Sequence, residues 1–244
     1  MCKLDLKDGF FHIPVDDRFV DFLCIEFPLS KKIARFRVLP FGIKCAPAWF
    51  QRLMLELLRM FKAAWKAKFG DDVLVYIDDW GLFAIEHARA AEGFALLIQM
   101  LEEMGFRVHP TKRSPPSQIM EYTGLVYNSV EGTVSAPPRK IAKALFVIND
   151  CLNTSRTVVH TLDKVSGTLS DLAFVFTHGK SALYPLYDII ARSGAAGLPK
   201  SVRKRWIVHL TNDALRSMEW WRHMLVSCPN HACASMHYVS RWFS

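Results

Sequence analysis

The chain has 244 residues, 51% hydrophobic and 22% charged, which is enough apolar material for a real core and excludes a compositionally disordered segment. Its formal net charge of +8 suits a polyanionic partner such as nucleic acid, although charge alone does not single one out. No apolar run approaches the roughly 18 residues of a membrane span. With no secretory leader after Met1, the six scattered cysteines read as reduced thiols of an intracellular protein, in cytoplasm or nucleus.

In chain order, residues 3–6 are expected to form a short strand around Asp5, ended by Lys7-Asp8-Gly9. Two strand-like runs, 22–27 and 33–38, flank a polar turn. From Pro47 the period changes. Phe50, Leu53, Met54, Leu57, Leu58, Phe61 and Trp65 share one helical face, and Arg52, Glu56, Arg59, Lys62 and Lys66 share the other. Residues 73–77 and 80–84 read as a tight hairpin with Asp78 and Asp79 at its tip. A second amphipathic helix over 86–104 carries Ala90, Phe94, Leu97, Ile98, Leu101 and Met104 on its apolar stripe and stops at Gly105. Residues 106–108 are the next expected strand.

This order, with two extra strands inserted after the first, is the β-α-β-β-α-β arrangement of split βαβ folds. Short strands at 119–122 and 125–127 follow Pro115-Pro116. Beyond Pro137-Pro138 the chain reads as wholly helical. Ile141, Leu145, Ile148 and Leu152 mark one helix, Leu162, Val165, Leu169, Leu172 and Phe176 another, and a last helix covers about 212–225. The expected fold class is therefore α+β: an antiparallel sheet with two packed helices, then an all-α part. No repeat or low-complexity stretch interrupts it.

Asp5 and the pair Asp78-Asp79 lie far apart in sequence, yet this topology brings them to one edge of the sheet. Neighbouring side chains on a strand point to opposite faces, but a tight turn relaxes that rule. Asp5 with Asp78 would offer hard oxygen ligands suited to Mg²⁺ held partly by a substrate's phosphates. Two such ions, roughly 3.5–4 Å apart, would support an in-line phosphoryl transfer.

Taken together the segments resemble the reverse transcriptases. Residues 4–14, from Leu4-Asp5-Leu6 to Ile13-Pro14, look like the first palm motif. Residues 39–51, from Leu39-Pro40-Phe41-Gly42 to Trp49-Phe50-Gln51, look like the second, and Tyr76-Ile77-Asp78-Asp79 is similar to the Tyr-x-Asp-Asp box. Gly105-Phe106 through Lys112 resembles the fourth motif, and Tyr122-Thr123-Gly124-Leu125 the primer-grip hairpin. Five motifs in order are far more specific than a lone Tyr-x-Asp-Asp.

The resemblance implies a polymerase palm over 1–129, a helical thumb over 130–194 and a helical connection and tail over 195–244. It implies that Asp5 and Asp78 bind two Mg²⁺ ions (or Mn²⁺), with Asp79 as the supporting acid. Phe10 would lie beneath the incoming sugar and disfavour a 2′-hydroxyl. Phe41 and Gly42 would line the nucleotide pocket, Gln51 would support it from the helix, and Lys112 would assist the leaving pyrophosphate. Tyr76, Tyr122 and Gly124 would meet nucleic acid, and Arg139, Lys140 and Lys143 would follow its backbone. The implied partners are an RNA or DNA template with its primer and deoxynucleoside triphosphates.

Further on, Lys164-Val165-Ser166-Gly167-Thr168-Leu169, His178-Gly179-Lys180, Leu183-Tyr184-Pro185-Leu186 and Trp220-Trp221 resemble the thumb and connection of retrotransposons carrying a tyrosine recombinase (the DIRS type). Met1 stands only four residues before Asp5, so the family's fingers are expected to be missing. With no Asp or Glu from Val226 to Ser244, so is RNase H. Such a chain is expected to extend primers weakly or not at all by itself. The alternative is a catalytically silent relic that binds nucleic acid. Cys228, His231, Cys233 and His237 match no zinc-finger spacing and are expected to be free. A hydrolase built on His160, Asp163 and Ser166 is disfavoured, because the three share one helical stretch.

Overall fold

The computed structural model describes residues 1–69, 73–176, 178–195, 197–227 and 234–235, with the side chains of 65–69 and 234–235 outside the description. The chain divides into two compact units, Met1–Thr123 and Gly124–Ser244.

The first unit runs β1 (Cys2–Asp5), a 3-10 turn (Gly9–His12), α1 (Asp17–Val20), β2 (Cys24–Glu26), β3 (Ile33–Arg35), α2 (Ala46–Phe69), β4 (Val73–Tyr76), β5 (Asp79–Leu82), α3 (His87–Glu103) and β6 (Ile119–Tyr122). β1, β5 and β4 form an antiparallel sheet with β5 in the middle. Cys2 pairs with Leu82 and Leu4 with Trp80, and all four are buried. They share a core cluster with Phe50, Met54 and Phe61 of α2 and Ala90, Leu97 and Leu101 of α3. Because strand side chains alternate, the intervening residues Lys3 and Asp5, with their partners Gly81 and Asp79, belong to the other face. Core packing of the apolar set thus puts Asp5 and Asp79 on one face, and the observed register sets them side by side. Trp65, expected on the α2 stripe, has a side chain outside the described residues.

The strand expected at 106–108 is not formed as such. This segment runs along the free edge of β1 through a single bridge, Leu6 to Val108. Lys7 N–H donates to Arg107 C=O and His109 N–H to Asp5 C=O, both at 2.8 Å. Beyond an interruption at residues 110–113 the chain returns to the same edge, where Lys3 and Ser114 exchange N–H to C=O bonds at 3.1 and 2.8 Å. The β2–β3 hairpin is shorter than expected and mostly exposed.

The second unit holds β7 (Leu125–Asn128), β8 (Thr133–Ser135), α4 (Pro138–Thr154), β9 (Arg156–Val158), α5 (Val159–Leu172), α6 (Tyr184–Arg192), α7 (Lys200–Arg203), β10 (Ile207–His209), α8 (Asn212–Ser227) and β11 (Ala234–Ser235). Its core gathers Ile148, Leu162, Leu169, Leu172, Leu186 and Trp221. On α4 the buried face is Ile141, Ala144, Ile148 and Cys151, a rotation from the expected stripe that leaves Leu145 and Leu152 half-buried. The region expected to be wholly helical also contains an antiparallel pair, β9 with β10. Three-residue strands from distant segments leave no periodicity to read, although the β-branched Thr157, Val158, Ile207 and Val208 favour them.

The Cys228, His231, Cys233 and His237 group lies outside the described residues. His160, Asp163 and Ser166 do not assemble into a triad. Asp163 accepts from Arg203 at 2.5 Å, and the buried Ser166 Oγ has no hydrogen-bond partner among the described residues. No helix among the described residues is long and apolar enough to cross a membrane.

Candidate active site

The three acids do converge. Asp5 ends β1 and pairs directly with Asp79, the first residue of β5, while Asp78 occupies the two-residue turn before it. Leu6 N–H donates to Asp78 C=O at 3.3 Å, tying the turn to the end of β1. Asp5 is only 7% exposed. Burial raises the carboxyl pKa of both Asp78 and Asp79; repulsion from Asp5 adds to each, and repulsion from Asp78 adds to that of Asp79. Among the described residues no three His, Cys, Asp or Glu side chains close into a metal cage. An open pair of carboxylates that needs further oxygens from a substrate suits Mg²⁺ better than a dedicated protein cage does, so these residues fit such an ion.

The cations at this edge are Lys112 and Lys3. Lys112 Nζ lies 2.8 Å from Asp5 Oδ2, and this bond raises the lysine's pKa. The segment lying along β1 carries it there. The family resemblance implied a lysine that assists the leaving pyrophosphate, but not an ion pair with Asp5. Lys3 escaped the sequence reading altogether. It is the foremost positive influence on Asp79, and the signal was available, since residues 3 and 5 of one strand share a face.

Phe10 is 8% exposed and stacks on the fully buried Phe50, ring centroids 4.7 Å apart, with Phe41 at 5.0 Å. The ring is therefore fixed in the core, with little surface left exposed. Phe41 is exposed, and Gly42 sits at φ +94° with nothing within 4 Å of the position a Cβ would take. That backbone is open to close approach by a ligand. Gln51 does not face open space. Its carboxamide is spent on the hairpin, accepting from Ile77 N–H at 2.5 Å and donating to Val75 C=O at 3.3 Å.

Tyr76 is exposed at the end of β4. Tyr122 is 1% exposed. Its hydroxyl donates to Asp79 C=O at 3.2 Å, and its ring fills the space that a side chain at Gly81 would need. It braces the hairpin, and little of its surface is left for a nucleic acid. Gly124, at φ +78°, leaves room for Lys140, whose Nζ binds Asp171 at 3.1 Å. Arg139 and Lys143 are exposed on the first turns of α4.

A family model described as "Reverse transcriptase (RNA-dependent DNA polymerase)" matches residues 1–127. The chain belongs to the reverse transcriptase family. It is 32% identical over 170 residues to the Gag-Pro-Pol polyprotein of bovine leukemia virus, covering 67% of this chain and 11% of that protein. The Gag-Pol polyprotein of Rous sarcoma virus subgroup B is 31% identical over 148 residues, covering 56% of this chain and 9% of the polyprotein. The chain thus spans about a tenth of these curated relatives. In structure it resembles the foamy viral protease-reverse transcriptase solved with double-stranded DNA, with a TM-score of 0.68 at 17% identity over 96% of this chain and 35% of that one. The same enzyme with an RNA/DNA hybrid matches at a TM-score of 0.67 and 17% identity, over 92% of this chain and 27% of that one. The likeness confirms the mixed helix-and-sheet fold of the family.

Proposed function

We propose that this chain is the palm and thumb of an RNA-directed DNA polymerase, acting by template-primed nucleotidyl transfer. The observation that carries the reading is the meeting of Asp5, Asp78 and Asp79 at one sheet edge. Asp5 and Asp78 would hold the divalent ions, with Asp79 supporting them. Two bound Mg²⁺ ions would supply activation of the attacking oxygen and neutralisation of the leaving one. Phe10, stacked on Phe50, would lie beneath the incoming sugar and disfavour a 2′-hydroxyl, so Phe10→Val is expected to admit ribonucleotides, measured as incorporation selectivity. Phe41 and Gly42 would border the nucleotide, and Lys112 would give a proton to the departing pyrophosphate once it leaves Asp5. Arg139 and Lys143 offer charge to a duplex backbone, with Lys140 available once it leaves Asp171; Tyr76 and Gly124 would also meet nucleic acid. The signatures around Lys164, His178, Tyr184 and Trp220 support a parent element of the tyrosine-recombinase group.

The test is primer extension on an RNA template with Mg²⁺, comparing this chain with one extended upstream and with Asp78→Ala in each. Deoxynucleotide incorporation by the extended form alone, lost in Asp78→Ala, supports an incomplete catalytic core. Tight primer–template binding with no incorporation by either form overturns it in favour of a silent nucleic-acid-binding relic.

A further inference from the structure

The hairpin that carries Asp78 and Asp79 has an improbable tip. β4 and β5 are joined by the two residues Ile77 and Asp78, with Tyr76 paired to Asp79. Ile77 has φ +57°, and Asp78 is not among the residues with positive φ. That is the φ pattern of a type II′ turn, whose first central position belongs to glycine. A β-branched residue there is strained, because its Cβ crowds the backbone. Such strain persists only where surrounding contacts over-determine it.

One side chain supplies the decisive contacts. Gln51, on α2 between the buried Phe50 and Met54, spans the turn with both ends of its carboxamide. Its Oε1 accepts from Ile77 N–H at 2.5 Å, and its Nε2 donates to Val75 C=O at 3.3 Å. Only an amide does both. A carboxylate of the same length would face the Val75 carbonyl with a second acceptor and add a negative charge beside three acids. The remaining ties reach the neighbouring residues. Leu6 holds Asp78 C=O and Tyr122 holds Asp79 C=O, so Gln51 alone among these grips the left-handed residue.

We propose that Gln51 is a positioning residue for the catalytic hairpin, locking Ile77 in the left-handed conformation so that Asp78 is presented beside Asp5. The proposal rests on the reading of these two acids as the ion-binding pair. It assigns Gln51 to the acids' geometry and not to contact with the nucleotide. Position 77 is thereby a strained residue whose cost the helix offsets through one amide, while Leu6 and Tyr122 hold the two aspartates beside it.

The experiment uses the full chain and the variants Gln51→Ala, Gln51→Glu, Ile77→Gly and Gln51→Ala with Ile77→Gly. Two quantities are read: amide hydrogen exchange across residues 73–82, and Mn²⁺ affinity by electron paramagnetic resonance. Gln51→Ala is expected to speed exchange at the tip and to weaken Mn²⁺ binding by roughly tenfold each, the scale of one lost hydrogen bond to a strained site. Gln51→Glu should be no better than Gln51→Ala. Ile77→Gly in the Gln51→Ala background should restore Mn²⁺ affinity to within about twofold, because glycine takes this φ without strain. A side chain that merely fills space would show no such rescue.

Wild-type exchange at the tip in Gln51→Ala overturns the proposal, and so does a loss of Mn²⁺ affinity that Ile77→Gly leaves uncorrected. Failure of the functional reading looks different. In that case Asp78→Asn leaves Mn²⁺ affinity unchanged, or the parent chain binds none, while the exchange measurement still decides whether Gln51 holds the turn.

Discussion

Replacing Lys112 with alanine removes the ammonium that lies 2.8 Å from Asp5 Oδ2. At that separation the Coulomb attraction is about 1.5 kcal/mol at the dielectric of water and about 6 kcal/mol at the effective value near a protein surface. The lysine side chain is 62% exposed and the Asp5 side chain 10% exposed, so solvent reaches one partner and screens the pair. A net loss of about 1 kcal/mol is the expected result. For a chain of this size that is a fall of about 2–4 °C in Tm. The assay is thermal unfolding in EDTA and again with excess Mg²⁺. In EDTA, Lys112→Ala leaves Asp5 beside Asp78 and Asp79 without its cation, so the variant melts lower. A Mg²⁺ ion that replaces the missing charge and binds only the folded chain should then stabilise the variant at least as much as the parent. Raising the salt to about 0.5 M should shrink the difference seen in EDTA, since the lysine is exposed. An unchanged Tm in EDTA refutes the electrostatic account of this edge, and a smaller Mg²⁺ increment in the variant refutes the idea that lysine and ion satisfy the same charge.

The neighbouring acids carry the opposite sign. Burial holds the folded-state pKa of Asp78 above its unfolded value, so the favourable contribution is present at low pH and fades as pH rises through the folded value. Asp78→Asn should therefore stabilise the metal-free chain at neutral pH by about 0.5–2 kcal/mol and flatten its stability on the alkaline side of the carboxylate range, read by urea denaturation across pH. Gly9→Ala would set a Cβ 2.8 Å from Cζ of the fully buried Phe50; a loss of about 1–3 kcal/mol is expected from this overpacking, seen in the urea midpoint. Gly124→Ala combines a φ of +78° with a Cβ 2.5 Å from Lys140 Nζ. It should cost about 1–2 kcal/mol, of which Lys140→Ala in the same chain recovers only the steric part.

Much of the first unit was legible because its signals are local. The apolar stripe from Phe50 to Phe61 gives α2, and the run Val73 to Leu82 with two acids at its centre gives the β4–β5 hairpin. Alternation along β1 separates Leu4 in the core from Asp5 at the edge. Those periodicities put Asp5 and Asp79 on one face by burying Cys2, Leu4, Trp80 and Leu82 on the other, and the pairing of Leu4 with Trp80 then sets Asp5 beside Asp79. What tertiary structure alone decided are contacts between residues with no periodic relation. The Lys112 to Asp5 pair depends on an irregular segment lying along the β1 edge, and Tyr122 turned inward because Gly81 has no side chain to exclude it. β9 and β10 found each other across half of the second unit through three residues apiece. The tip of the hairpin shows the same division. An aspartate pair at a turn is visible in the sequence, but an isoleucine at a glycine position is tolerable only because a glutamine on a distant helix reaches it in the folded chain. Hydrophobic pattern specifies which face a residue takes, and only the assembled core specifies which polar groups then lie within hydrogen-bond reach.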